Sequence, residues 1–149
     1  MSTKIVVHEA GVAVAGQLVA ADFAAIAAAG YRTIVNNRPD GEDAGQMPSE
    51  TARLLAERHG MAYHHLPLRG FETTDSDKVA AFEALAARVD GPVLYYCRTG
   101  TRCTLLWAQL AVRRLGVEEV TAIAAANGYD VSVIREELEE RSAAAAKAA

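Results

Sequence analysis

Short apolar runs alternate along the chain with amphipathic stretches, the pattern of a protein that mixes strands and helices. The first two runs flank a short turn near Glu9, which predicts a β-hairpin. Gly30 and Gly60 follow two helical stretches as C-caps, and Ser49 is placed to cap the second of these helices at its N-terminus. The predicted strands are 4–7, 11–16, 32–36, 61–66 and 93–96. The predicted helices are 20–29, 50–59, 75–89, 103–115, 117–126 and 131–141.

This order of elements predicts a three-layer α/β sandwich with a mainly parallel central sheet. The run at 93–96 is apolar at every position, as expected of a strand that is covered on both faces. The 149 residues suffice for one domain, which we place at 1–141. The alanine-rich tail at 142–149 is expected to fray.

Composition narrows the possible partners. The formal net charge of −4 argues against nucleic acid or an anionic membrane as the main partner. Neither a signal-peptide core nor a membrane-spanning run is visible, so we expect a cytoplasmic protein. The two cysteines, Cys97 and Cys103, are too few for a four-cysteine zinc site. In a reducing compartment they are more typical of catalysis, redox chemistry or burial than of a disulfide. We expect no cofactor and no metal.

The candidate chemistry lies in the loop that follows the last predicted strand. Cys97 ends that strand, and a helix begins a few residues later. Backbone N–H groups in such a turn form a nest for an anion, and Gly100 lets the backbone fold back on itself. The same nest, with Arg98 and Arg102, favours a thiolate, which is already a nucleophile at neutral pH. We therefore predict Cys97 and Arg102 as catalytic residues.

The remaining site residues are predicted as substrate-binding. A carboxylate at Asp40 is placed either to orient a nearby arginine or to serve an ordinary Pro-Asp-Gly turn, and the sequence leaves both open. The alternative for Cys97 is a buried cysteine at a strand end, but this does not account for the polar loop behind it. The predicted substrate-binding residues are Arg38, Asp40, Arg98, Thr99, Gly100 and Thr101.

The loop 97–102 resembles the active loop of rhodaneses. A wider set of motifs, at 30–42, 66–67, 95–102 and 105–107, is similar to the phosphatase-like domain family of bacterial beta-lactamase-hydrolase-like proteins. That family is also named as a sulfur transferase family. The resemblance covers about residues 6–109, with a further match at 128–130, and implies the fold of dual-specificity tyrosine phosphatases.

The chain departs from the phosphatase pattern in two ways. Phosphatases of this fold place five residues between the cysteine and the arginine, whereas four separate Cys97 from Arg102 and the next position holds Cys103. Their general-acid aspartate is also missing from 68–72, where Glu72 is the nearest acid. A departing alkoxide needs a proton, but sulfite leaving thiosulfate does not.

These departures favour sulfur transfer as the first hypothesis. Cys97 would take the outer sulfur of thiosulfate or a persulfide and pass it to a thiol acceptor, while Arg98 and Arg102 hold the anionic part of the donor. The second hypothesis is a phosphatase that works through a phosphocysteine. The third is a non-catalytic module that binds an oxyanion. All three imply a small anionic partner.

Overall fold

The computed structural model describes residues 3–148, in which five strands form one sheet. The strand order is β1-β2-β5-β3-β4; β1 pairs antiparallel with β2 and the other neighbours are parallel. The predicted hairpin and the mainly parallel sheet are therefore confirmed. The strands are β1 Ile5–Glu9, β2 Val12–Ala15, β3 Thr33–Asn36, β4 Ala62–His65 and β5 Val93–Tyr96.

Helices cover both faces of the sheet, which makes the three layers. The helices are α1 Ala20–Ala28, α2 Ser49–Arg58, α3 Ser76–Arg88, α4 Thr101–Leu115, α5 Val117–Ala126 and α6 Arg135–Ala148, with 3₁₀ turns at Gly70–Glu72 and Ser132–Ile134. Side chains alternate along β5, so that Val93 and Tyr95 pack toward α3 and α4 while Leu94 and Tyr96 pack toward α1 and α2. The last two helices, α5 and α6, pack against the outer side of α4.

Several helix starts differ from the prediction. Helix α6 begins at Arg135 instead of 131, after the 3₁₀ turn at Ser132–Ile134. Helix α4 begins at Thr101 instead of Cys103, so the end of the anion loop is already helical. Ser49 is the first residue of α2 and does not cap it: Pro48 holds the N-cap position, and Asp40 Oδ1 accepts the Ser49 N–H at 2.8 Å. An aspartate earlier in the loop that leads into α2 thus satisfies one of the free N–H groups at this helix end.

The C-terminal tail is also different from the prediction. Helix α6 continues to Ala148, so residues 142–148 are helical instead of frayed; residue 149 lies outside the described part of the chain. Alanine has the highest helix propensity of all residues, and Leu138 anchors the helix by its full burial. Within 3–148 no helix is both long and apolar enough to cross a membrane.

Candidate active site

Three parallel strands end at the same level and bring the site together. Ala15 of β2 and Asn36 of β3 lie opposite Tyr96 of β5. The next residue of the central strand, Cys97, therefore lies at the carboxyl edge of the sheet, where α/β proteins bind ligands. Gly16 follows β2 there: a Cβ on it would stand 3.0 Å from the Arg98 carbonyl oxygen, so glycine allows the loop to pass close by.

Cys97 lies at the base of the predicted anion nest. Its side chain is 1% exposed, and Sγ accepts the Gly100 N–H at 3.1 Å. Gly100 has a φ of 90°, in the left-handed region that glycine adopts without strain. Helix α4 starts at the next residue, so the positive end of its dipole also faces the sulfur.

These contacts lower the pKa of Cys97 to about 6. The largest contribution comes from the neighbouring Cys103 side chain; burial acts in the opposite direction, and the backbone N–H groups of Cys103, Thr99 and Gly100 lower the pKa further. A thiol with this pKa is about nine-tenths thiolate at pH 7. A thiolate of this kind needs no partner base to be nucleophilic.

Cys103 is the neutral member of the cysteine pair. It is fully buried, and its Sγ–H donates to Asn37 Oδ1 at 3.3 Å. Burial, followed by the neighbouring Cys97, raises its pKa well above the usual range. Of the roles that the sequence left open for the two cysteines, burial is the one that fits Cys103.

Arg102 is held in place by the carboxylate of Glu42. Its Nη1 and Nη2 donate to the two carboxylate oxygens of Glu42 at 2.9 and 2.8 Å, and Nη1 also donates to the Leu68 carbonyl at 3.1 Å. The Arg102 guanidinium has a second edge, formed by Nε and the remaining hydrogen of Nη2. Within residues 3–148 no hydrogen-bond acceptor lies on that edge. That edge presents two parallel donors, the geometry that suits an oxyanion.

Glu42, which is itself held by Arg38, keeps Arg102 in place. Hydrogen bonding from Arg102 is the main cause that lowers the Glu42 pKa to about 2, against the effect of burial, and Arg38 adds to it. Arg38 is buried and donates through Nε to Glu42 at 2.8 Å, with its remaining bonds going to Gln17 and Asp43. We propose that Arg38 supports the site instead of binding substrate, because its guanidinium is already engaged.

The other predicted binding residues divide into two groups. Thr99 and Thr101 share a hydroxyl–hydroxyl contact of 2.9 Å, and the 60% exposed Arg98 side chain pairs loosely with Asp43 at 3.5 Å. These three residues line the loop. Asp40 instead bonds to the start of α2. Asp40 therefore serves the start of a helix, and Glu42, two residues later, contacts the arginines.

The segment after β4 supplies no carboxylate to Cys97. Glu72 Oε1 accepts the Arg69 N–H at 2.7 Å within the 3₁₀ turn, and Asp75 occupies the N-cap position of α3. The contacts of this segment therefore do not position the general acid that is expected of a phosphatase.

Two residues that contact the anion loop, Glu42 and Tyr129, were not predicted as site residues, because only the folded chain brings them close to that loop.

The difference between the two thiols is directly testable. At pH 6 we expect iodoacetamide to modify Cys97 at least about tenfold faster than Cys103, because only Cys97 is substantially ionised there. The rate should follow a titration with a midpoint near 6. Peptide mass spectrometry after timed quenching gives both rates, and equal rates would show that the nest does not stabilise a thiolate.

Comparison with known proteins identifies the family. Residues 4–113 match the family model described as "Beta-lactamase hydrolase-like protein, phosphatase-like domain". The chain belongs to this family. Beta-lactamase hydrolase-like proteins from Xylella fastidiosa (strain Temecula1) and Agrobacterium fabrum are 37% and 33% identical to it, over 86% and 88% of the chain. The match covers 30% and 31% of those proteins, so the chain spans about a third of their length.

Solved structures place this family member among the phosphatase folds. A candidate phosphatase from Neisseria meningitidis is 33% identical, with a TM-score of 0.82 over 92% of this chain and 97% of its own. A kinase-associated phosphatase, solved with its catalytic-site cysteine replaced by serine, superposes with a TM-score of 0.73 at 16% identity, over 98% and 97% of the two chains. The predicted family and its tyrosine-phosphatase-like fold are confirmed. The matched names support the phosphatase hypothesis better than sulfur transfer.

Proposed function

We propose that this domain is a cysteine-dependent phosphatase that hydrolyses phosphate monoesters through a phosphocysteine on Cys97. The observation that carries the proposal is the pairing of a thiolate, with a pKa of about 6, with a nest of N–H groups in a phosphatase-like fold. Phosphate ester hydrolysis therefore becomes the first hypothesis, ahead of sulfur transfer, which the loop spacing had favoured.

The geometry supports a two-step reaction. The Cys97 thiolate attacks phosphorus, the bond from phosphorus to the ester oxygen breaks, and the alcohol leaves after taking up a proton. Water then attacks the phosphocysteine, and inorganic phosphate leaves as the thiolate is restored. The loop N–H groups and the open edge of Arg102 stabilise the charge on the non-bridging oxygens in both steps.

The arrangement of acids limits the substrates. Since Glu72 bonds to the Arg69 N–H within its own 3₁₀ turn and Asp75 lies at the N-cap position of α3, protonation of the leaving group is weakly assisted. A general acid typically contributes about 10²–10⁴ in rate, and an aryl oxide needs it less than an alkoxide. We infer a preference for aryl over alkyl phosphate esters.

Sulfur transfer is the second candidate, favoured by the four-residue spacing between Cys97 and Arg102. The thiolate would attack the outer sulfur of thiosulfate, sulfite would leave with the electron pair of the S–S bond, and an acceptor thiolate would take the sulfur from the Cys97 persulfide. No acid is needed because sulfite is a stable leaving group. A non-catalytic oxyanion-binding module is the remaining alternative.

A direct comparison of substrates separates the candidates. We expect a phosphotyrosine peptide to be hydrolysed with a higher kcat/KM than thiosulfate supplied with a thiol acceptor, and a phosphoserine peptide about 10²–10⁴-fold more slowly than the phosphotyrosine peptide. Small activated aryl phosphates are poor discriminators because their leaving groups depart without help. Phosphate release and sulfite release are the two measurements.

Intact-mass spectrometry shows which intermediate forms. A phosphoryl adduct trapped on Cys97 by acid quenching supports the proposal. A gain of one sulfur atom on Cys97, together with the higher kcat/KM for thiosulfate, would overturn it in favour of sulfur transfer. If Cys97 gains no adduct and nothing turns over, the domain is a binding module.

A further inference from the structure

One peptide unit of the anion loop is held from both sides. The Tyr129 hydroxyl donates to the Thr99 carbonyl at 2.9 Å, and the N–H of the same peptide, that of Gly100, donates to Cys97 Sγ at 3.1 Å. In a planar trans peptide the C=O and the N–H point in opposite directions. The orientation that Tyr129 selects for the carbonyl is therefore the one that aims the N–H at the nucleophile.

The opposite orientation is accessible to this backbone. Gly100 has φ 90° and ψ −8°, the values of the third residue of a type II turn. Type I and type II turns differ mainly in the orientation of their middle peptide, and glycine accepts both. Here the middle peptide is the Thr99–Gly100 unit, so an external contact decides which way it faces.

The neighbours of Tyr129 hold its ring in place, so its hydroxyl has a fixed position beside the Thr99 carbonyl. Its ring lies edge-on to His8 at 5.7 Å, and His8 stacks on Trp107 at 4.5 Å. Asn127 Nδ2 donates to both the Val7 carbonyl and His8 Nδ1, so the proton of the neutral imidazole is on Nε2, which faces the Thr104 hydroxyl at 2.8 Å.

The tyrosine also fills the space beside the glycine. An added Cβ on Gly100 would stand 2.2 Å from the Tyr129 hydroxyl oxygen. Tyr129 thus presses against the outer side of the loop while it bonds to the neighbouring carbonyl. Within residues 3–148 its hydroxyl makes no hydrogen bond to Cys97 Sγ.

We propose that Tyr129 is a positioning residue, whose hydroxyl holds the Thr99–Gly100 peptide with its N–H toward Cys97 and the bound oxyanion. When this bond is lost the peptide rotates, and a carbonyl oxygen replaces the N–H beside the sulfur. An acceptor in that place disfavours the thiolate and repels the oxyanion. The proposal rests on the role of Cys97 as the nucleophile.

The test is Tyr129→Phe, which keeps the ring against His8 and removes only the hydroxyl. We expect the midpoint of the pH profile for Cys97 alkylation to rise by about one pH unit, so that the alkylation rate at pH 6 falls several-fold. We expect kcat for the best phosphate ester to fall about 10²–10³-fold, because one oxyanion donor is lost. Tyr31→Phe is the matched control: Tyr31 lies before β3, at the opposite end of the sheet from the loop.

The outcomes separate this proposal from the proposed function. The alkylation profile needs no substrate, so it tests Tyr129 even if the wild-type protein hydrolyses no ester. A raised midpoint in Tyr129→Phe but not in Tyr31→Phe supports the proposal. An unchanged midpoint overturns it, whether or not the thermal unfolding temperature falls, since a merely structural role would lower stability without moving the titration of Cys97.

Discussion

Replacing Cys97 by serine is expected to abolish turnover of phosphate esters and of sulfur donors alike. A serine hydroxyl is not ionised at neutral pH, and the contacts that bring the Cys97 thiol to a pKa of about 6 cannot ionise it. Loss of a covalent nucleophile costs on the order of 10⁴-fold or more in kcat. Phosphate release and sulfite release, each measured against the wild-type protein, give the result.

The fold of this variant should remain intact, since serine is close to cysteine in size and the loop backbone keeps its own bonds. A phosphatase with the same fold has been solved with serine at its catalytic cysteine. Circular dichroism and the unfolding temperature provide the check. Cys103→Ser is the matched control, and we expect it to retain most activity because the serine hydroxyl can still donate to Asn37 Oδ1, as the Cys103 thiol does. Turnover retained in Cys97→Ser would exclude every covalent mechanism at this residue.

The strand–loop–helix unit was predictable from the sequence because its determinants are local. Four consecutive apolar residues define β5, and the polar loop with its glycine follows at once. The alternation of strands and helices then determines the layers, because each amphipathic helix must cover a face of the sheet. The position of Cys97 at the carboxyl edge follows from this arrangement.

The partner of Arg102 could not be predicted in the same way. Asp40, Glu42 and Asp43 lie within four residues of one loop, and the side chain that turns inward depends on how the loop closes around the buried Arg38. Tyr129 lies thirty residues after its partner Thr99, across two helices. Contacts of this kind depend on tertiary packing, which has no periodic signal in the sequence.

Loop spacing was a weaker guide to chemistry than expected. Counting residues suggested that an arginine one position early would serve a phosphoryl group poorly. In the structure, Glu42 and the Leu68 carbonyl hold the guanidinium of Arg102 close enough to Cys97 for their charges to interact. The four-residue spacing between Cys97 and Arg102 is therefore compatible with the proposed phosphatase reaction.

Arg102 provides the second large effect. We expect Arg102→Ala to lower kcat/KM for the best phosphate ester about 10³-fold, because a two-pronged charged donor to the non-bridging oxygens is lost. Arg102→Lys should recover only a small part of this loss, since an ammonium group is a point charge without the planar fork. Glu42 remains paired with Arg38 in both variants, so no buried carboxylate is left without a partner.

Arg98→Ala, which removes a 60% exposed arginine from the same loop, is the matched control, and we expect it to lower kcat/KM less than about tenfold. The inhibition constant of inorganic phosphate, measured for all three variants, should follow the same order as kcat/KM. Equal losses in Arg102→Ala and Arg98→Ala would mean that the Nε edge of Arg102 does not contact the transferred group, and that the loop N–H groups alone bind it.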